Sequence, residues 1–206
     1  MAKKKMRTVE EFTKSLEQDP EYIKMREKKK QELLERQALL EAECLPFVTE
    51  CSRFGYHIKT TWDLMGEKNL NPELVSIMVK FLYESNYSEK FREGIAHSLI
   101  VPESAPYFKD FLNLFLKEKK EGAPIRHAIA HILSDAARKQ DELDIIENLI
   151  FDKKIGVDRS AFLDAIKRMK GEQRERTLAF AREDPQLKIN LHFYRLGNLG
   201  GNKKSH

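Results

Sequence analysis

Three histidines offer the sharpest chemistry in this chain. His127 and His131 are four apart, so on a helix they share one face, a workable spacing for two ligands of one metal ion. His97 and Glu93 occupy matching places in an earlier stretch of similar sequence and could face them from a neighbouring helix. Two imidazoles and a carboxylate suit iron or zinc. Asp135 continues the stripe, but eight residues put it about 12 Å from His127 along the axis, too far to share an ion with it. The other reading of these side chains is a solvated polar patch or a surface that meets a partner.

No other catalytic set is present. The chain has no glycine-rich phosphate loop and no nucleophile elbow. Cys44 and Cys51 are seven apart, about 10 Å along a helix. That is too far for an undistorted disulfide, and buried free thiols are expected. The one tryptophan, Trp62, reads as a plug closing the end of the array, with a stacking platform as the alternative.

Helices must position these groups. Of 206 residues, 41% are hydrophobic and 34% charged, with few glycines and prolines, which excludes wholesale disorder and favours helices with solvated outer faces. The net charge of +4 is a weak pointer to a polyanionic partner. No secretory apolar region follows Lys3, Lys4 and Lys5, and no apolar run is long enough to span a bilayer. A cytoplasmic protein away from membranes is expected.

Thr8 and Glu11 form a capping-box pattern opening a helix over residues 9–18, after a frayed basic start. Asp19 and Pro20 suit the start of a long, highly charged helix reaching residue 53, which Pro46 is expected to kink or break. Gly55 reads as its C-cap. A connection with one short helix near residues 61–65 follows. From residue 72 helices of about 12–16 residues pair as 72–84 with 88–100, 104–120 with 123–138, 141–152 with 157–169 and 172–183 with 185–196. The expected division is an N-terminal helical extension at 1–71, repeats at 72–196 and a disordered tail at 197–206.

The second helices repeat. Residues 92–99 lie over 126–133 with five of eight positions identical, and 159–166 form a looser third copy. Arg92, Arg126 and Arg159 are spaced 34 and 33 residues apart, inside the range of solenoid repeats. Ile95, Ile129 and Phe162 share a face with Leu99, Leu133 and Ile166, while Gly94, Ala128 and Ala161 admit close neighbours. No such pair buries its apolar face alone, so stacking makes the core.

An arginine opening the second helix, followed by small and aliphatic positions, resembles HEAT and HEAT-like repeats. Asn86 and Asp152 stand in the preceding breaks, where such repeats place an aspartate or asparagine. The resemblance covers residues 72–170 and implies an all-α, short right-handed α-solenoid whose second helices line the concave side. It places Glu93, His97, His127, His131, Asp135, Ser160, Asp164 and Arg168 on that side as partner-binding residues. Arg92, Arg126 and Arg159 then form a structural ladder bonded to carbonyls or to acids such as Asp152. A HEAT-repeat di-iron hydroxylase family uses adjacent His-Glu pairs. Here Ala128 follows His127, and Glu93 follows Arg92, which argues against that activity and against a metal on His97, His127 and His131.

The favoured reading is a non-enzymatic scaffold or adaptor without cofactor, binding a protein or peptide on the concave face. The first alternative is nucleic-acid binding in a groove like that of HEAT-like DNA glycosylases. It would use Lys117, Lys119, Lys120, Arg138, Lys139, Lys153, Lys154, Lys167, Arg168 and Lys170. A metal-dependent enzyme is the second.

Overall fold

A computed structural model describes residues 8–118 and 120–194, without the side chains of Glu11, Phe12 and Ser15. The expected disorder at 197–206, the frayed start at 1–7, Lys119 and the Glu11 half of the capping box lie outside the described residues. Among the described residues the chain is all-helical, with no strand. The α-helices are α1 (Val9–Glu17), α2 (Pro20–Arg53), α3 (Pro72–Tyr83), α4 (Glu89–Ser98), α5 (Phe108–Lys117), α6 (Pro124–Ala136), α7 (Gln140–Phe151), α8 (Gly171–Glu183) and α9 (Pro185–Lys188). Four 3-10 segments join them: η1 (Thr61–Leu64), η2 (Pro102–Tyr107), η3 (Lys153–Lys167) and η4 (Asn190–His192). Two compact units divide at Glu43 and Cys44.

The first unit holds α1 and the upstream part of α2. Asp19 caps α2, its carboxylate accepting from the Glu21 and Tyr22 N–H groups at 2.9 and 3.4 Å. Beyond Glu43 the helix is part of the second unit's core, where Cys44, Phe47 and Cys51 are fully buried. Pro46 does not break α2, which runs on to Arg53. Proline costs one helical N–H and crowds the preceding turn, but the buried side chains on either side of it lock the same face. The helix ends as the glycine predicts. Gly55 takes φ +82°, its N–H donates to Ser52 O and the Tyr56 N–H to Cys51 O, closing a Schellman cap.

In the second unit α3, α5, α7 and α8 pack on α4, α6, η3 and α9 respectively. α6 lies between α4 and η3. Ile95, Ile129 and Phe162 are fully buried, as are Leu99, Leu133 and Ile166, so the repeated stripes share one interior. Each such side chain contributes roughly 1.5–3 kcal/mol by leaving water. Phe115 and Phe162 meet edge to face at 5.4 Å between rings.

Three members of the pairs differ from expectation, the helix expected over 104–120 being 3-10 up to Tyr107 and α-helical only from Phe108 to Lys117. The segment predicted as a helix from residue 157 is a 3-10 segment starting at Lys153, kinked where Gly156 takes φ 70° and ψ −139°. That conformation is open to glycine and not to other residues. It lets the Glu121 carboxylate reach over Gly156 and accept from the Val157 N–H at 3.0 Å. The last second helix is short, four residues of α9 and then η4.

Residues 44–71, assigned by sequence to the extension, are tied into α4. The buried Thr61 hydroxyl donates to Phe91 O at 3.2 Å, and Ser98 Oγ donates to Thr61 O at 2.9 Å. Gly94 permits this approach: a Cβ there would stand 2.8 Å from Trp62 Nε1 and closer still to Thr61 Oγ1. Gly94→Ala is therefore expected to destabilise the fold by about 1–3 kcal/mol despite alanine's better helix propensity. Urea unfolding followed by Trp62 fluorescence measures it, and an unchanged midpoint contradicts the close packing.

Candidate functional site

The eight residues named for the concave side are all half-buried, on α4, α6 and η3 and, for Arg168, just past the end of η3. The structure sorts them into two groups. Arg168 is a strut: its guanidinium donates to Ala137 O at 3.2 Å and to Ser134 O, covering carbonyls at the C-terminal end of α6. Ser160 donates to Val157 O at 2.9 Å within its own segment. Asp135 pairs with Arg138 at 3.3 Å, and Asp164 pairs with Lys167 and, at 3.8 Å, Arg168.

The histidines form the other group. The His127 and His131 rings stand 4.9 Å apart and nearly perpendicular. His97 lies 3.9 Å from the Glu93 carboxylate. Burial pushes the His131 imidazolium down to about 4, with the His127 and His97 charges adding and Asp164 opposing. Burial also lowers His97, Glu93 opposing, with His127 and Lys90 adding. His131 is therefore a neutral ring at pH 7. Among the described residues no three His, Cys, Asp or Glu side chains are placed to hold a metal ion.

Three participants escaped the sequence reading of this face. Trp62 reaches it from η1, its ring 5.4 Å from that of His97, with the Lys90 ammonium 4.1 Å from its centroid. Tyr194 lies 6.5 Å from the His131 ring, its phenol pushed up by burial and by Asp164. Asp158, fully buried, accepts a hydrogen bond from Gly122 N–H at 3.2 Å and lies 3.3 Å from His127 Nδ1. It precedes Arg159 in a segment whose register depends on the Gly156 kink, so spacing carried no sign of it.

Arg92, Arg126 and Arg159, expected to form a ladder, each bond groups on other segments. Arg92 donates to Leu82 O, ten residues back, at 3.0 Å and to Glu118 at 2.8 Å. Arg159 does the equivalent nine residues back at Ile150 O, 3.3 Å, and at Asp184, 2.8 Å. Arg126 instead takes Ile155 O at 3.3 Å and Asp158, and lies 4.4 Å over the Phe115 ring. Asp152 bonds Lys154 N–H at 2.9 Å and caps η3. The Arg159–Asp184 side chains are 4% and 5% exposed, those of Arg92 and Glu118 15% and 27%. Removing one partner of the drier pair leaves a less hydrated charge, so Arg159→Ala should cost more stability than Arg92→Ala, by about 1–2 kcal/mol. Parallel thermal melts decide this, and equal costs would tie the ladder to packing alone.

Among the named cations, Arg138, Lys139, Lys167 and Arg168 lie beside Asp135, Glu142 or Asp164. Lys117, Lys120, Lys153 and Lys154 are exposed at the ends of α5 and α7. Glu147 on α7, 4% exposed, accepts from Arg176 and Thr177 on α8 at 2.6–2.8 Å.

The chain matches no family model, no curated protein and no solved structure. Among the described residues no helix is long and apolar enough to cross a membrane.

Proposed function

We propose that this chain is a short right-handed HEAT-like solenoid acting as a non-enzymatic, cytoplasmic scaffold or adaptor. It binds a protein or peptide across the face of α4, α6 and η3. The carrying observation is the half-buried run of Trp62, His97, His127, His131 and Tyr194 among Glu93 and Asp164. Aromatic and imidazole rings supply apolar area at small entropic cost, and the flanking carboxylates set register, the composition that recognises peptides. The neutral His131 removes charge from the middle of the face, and the nearby cations pair with local acids. Both features favour a peptide over a phosphate backbone.

The test pairs His97→Glu with Asp164→Arg; the second gives up the ion pairs to Lys167 and Arg168 but spares the Arg126 bonds and the Arg168 bonds to the Ser134 and Ala137 carbonyls. Circular dichroism must match wild type. A purified partner identified by affinity capture should bind the variant at least ~10-fold more weakly. Equal binding removes this face, and binding of duplex DNA that weakens steeply with salt replaces the peptide with nucleic acid.

A further inference from the structure

The α2 helix carries one apolar stripe with two fates. Leu33, Leu40, Cys44, Phe47 and Cys51 recur at intervals of seven, four, three and four residues, the spacing of a coiled-coil seam. Cys44, Phe47 and Cys51 are fully buried in the second unit. Upstream, Leu33 in the same stripe is 65% exposed and Ile23 39%, while Leu34 at the edge of the stripe is 51% exposed. Among the described residues of its own unit nothing covers Leu33 and Leu34 enough to bury them.

Charge selects the occupant. Residues 24–30 carry Lys24, Arg26, Lys28, Lys29 and Lys30 against Glu27 alone. Residues 31–43 carry Glu32, Glu35, Glu41 and Glu43 against Arg36 alone. The helix is thus basic upstream and acidic downstream. A second copy laid antiparallel sets each basic half beside an acidic half, whereas a parallel copy sets like against like. Opposed helix dipoles favour the same arrangement. Arg26, Lys30 and Gln37 interrupt the seam, a pattern that limits affinity and selects orientation.

We infer that the upstream half of α2 is a self-association surface, pairing two chains antiparallel through Leu33, Leu34 and Leu40. Its residues belong to the first unit, those of the α4–α6–η3 face to the second. The pairing is salt-sensitive, because charge guides it and the surface is exposed.

Sedimentation equilibrium at ~0.1 mM, where a micromolar interaction is saturated, should give the mass of two chains. Added salt should weaken the dimer. Leu33→Lys with Leu40→Lys should weaken it ~100-fold, with the helical signal of the second unit retained. Spin labels at Gln31→Cys and Glu21→Cys read orientation. The buried Cys44 and Cys51 compete poorly for label, the Cys51 thiol being pushed up to about 12 by burial. An antiparallel pair brings the Gln31 labels abreast and leaves the Glu21 labels ~30 Å apart along the axis, while a parallel pair keeps both close. A monomer at ~0.1 mM, a dimer indifferent to the leucine changes, or short distances at both labels each overturn the inference.

Discussion

Asp158→Ala is expected to cost about 3–5 kcal/mol, enough to unfold a marginal domain. The Asp158 side chain is 0% exposed and its partner Arg126 9%, so the pair is nearly dry. Burial alone would raise the Asp158 carboxyl, but hydrogen bonds from His127 and the Gly122 N–H, with the Arg126 charge, hold it below the usual carboxylate range. Removing it strands the Arg126 guanidinium over Phe115 with Ile155 O as its remaining acceptor. It also orphans the Gly122 N–H. Arg126→Met with Asp158→Leu removes both charges, and should recover most of the loss. Urea denaturation of both variants checks this. A double variant as weak as the single would place the energy in the shape of the site rather than in the stranded charge.

His131 should make the fold acid-sensitive in a defined window. Its folded value is about 4, against 6.5 for a free imidazole. Above pH 6.5 both states are neutral and the protein is at full stability. As pH falls below 6.5 the unfolded chain takes the proton first, so stability declines until the folded state also protonates near 4. The loss is about 3 kcal/mol over that interval. His97, lowered in the same direction, adds to it. Asp158, Glu147 and Asp184 are held below the usual carboxylate range, so their losses begin as pH falls through about 4. His131→Gln should flatten the stability profile between pH 6.5 and 4 and leave the steeper acid limb. The slope is the readout, so a uniform cost of the substitution cancels. An unchanged slope would mean that His131 is solvated and exchanges protons freely.

Both results bear on the proposed recognition face. Asp158 fixes one histidine of that face to the repeat interior, and His131 keeps its centre uncharged at neutral pH.

Most of the helices and their apolar stripes were legible from local pattern, but not the 3-10 form of residues 153–167 or the shortness of α9. Asp19, Gly55 and the arginines announce themselves because caps and repeats are short-range rules, satisfied within a turn or by identity at a fixed period. Ile95, Ile129 and Phe162 followed from 3.6-residue periodicity, since a helix has one way to bury such a stripe. Pro46, Asp158, Trp62 and Tyr194 did not follow. Their roles depend on which backbone lies opposite, and that is fixed by packing between segments some thirty residues apart. Arg168 shows the same limit. Helical spacing put it on the expected face, yet its nearest groups are the carbonyls of Ser134 and Ala137, so it serves the end of α6. A periodic sequence states which side of a helix is apolar, while the partner of each polar group is chosen only when the helices meet and each buried donor must find an acceptor.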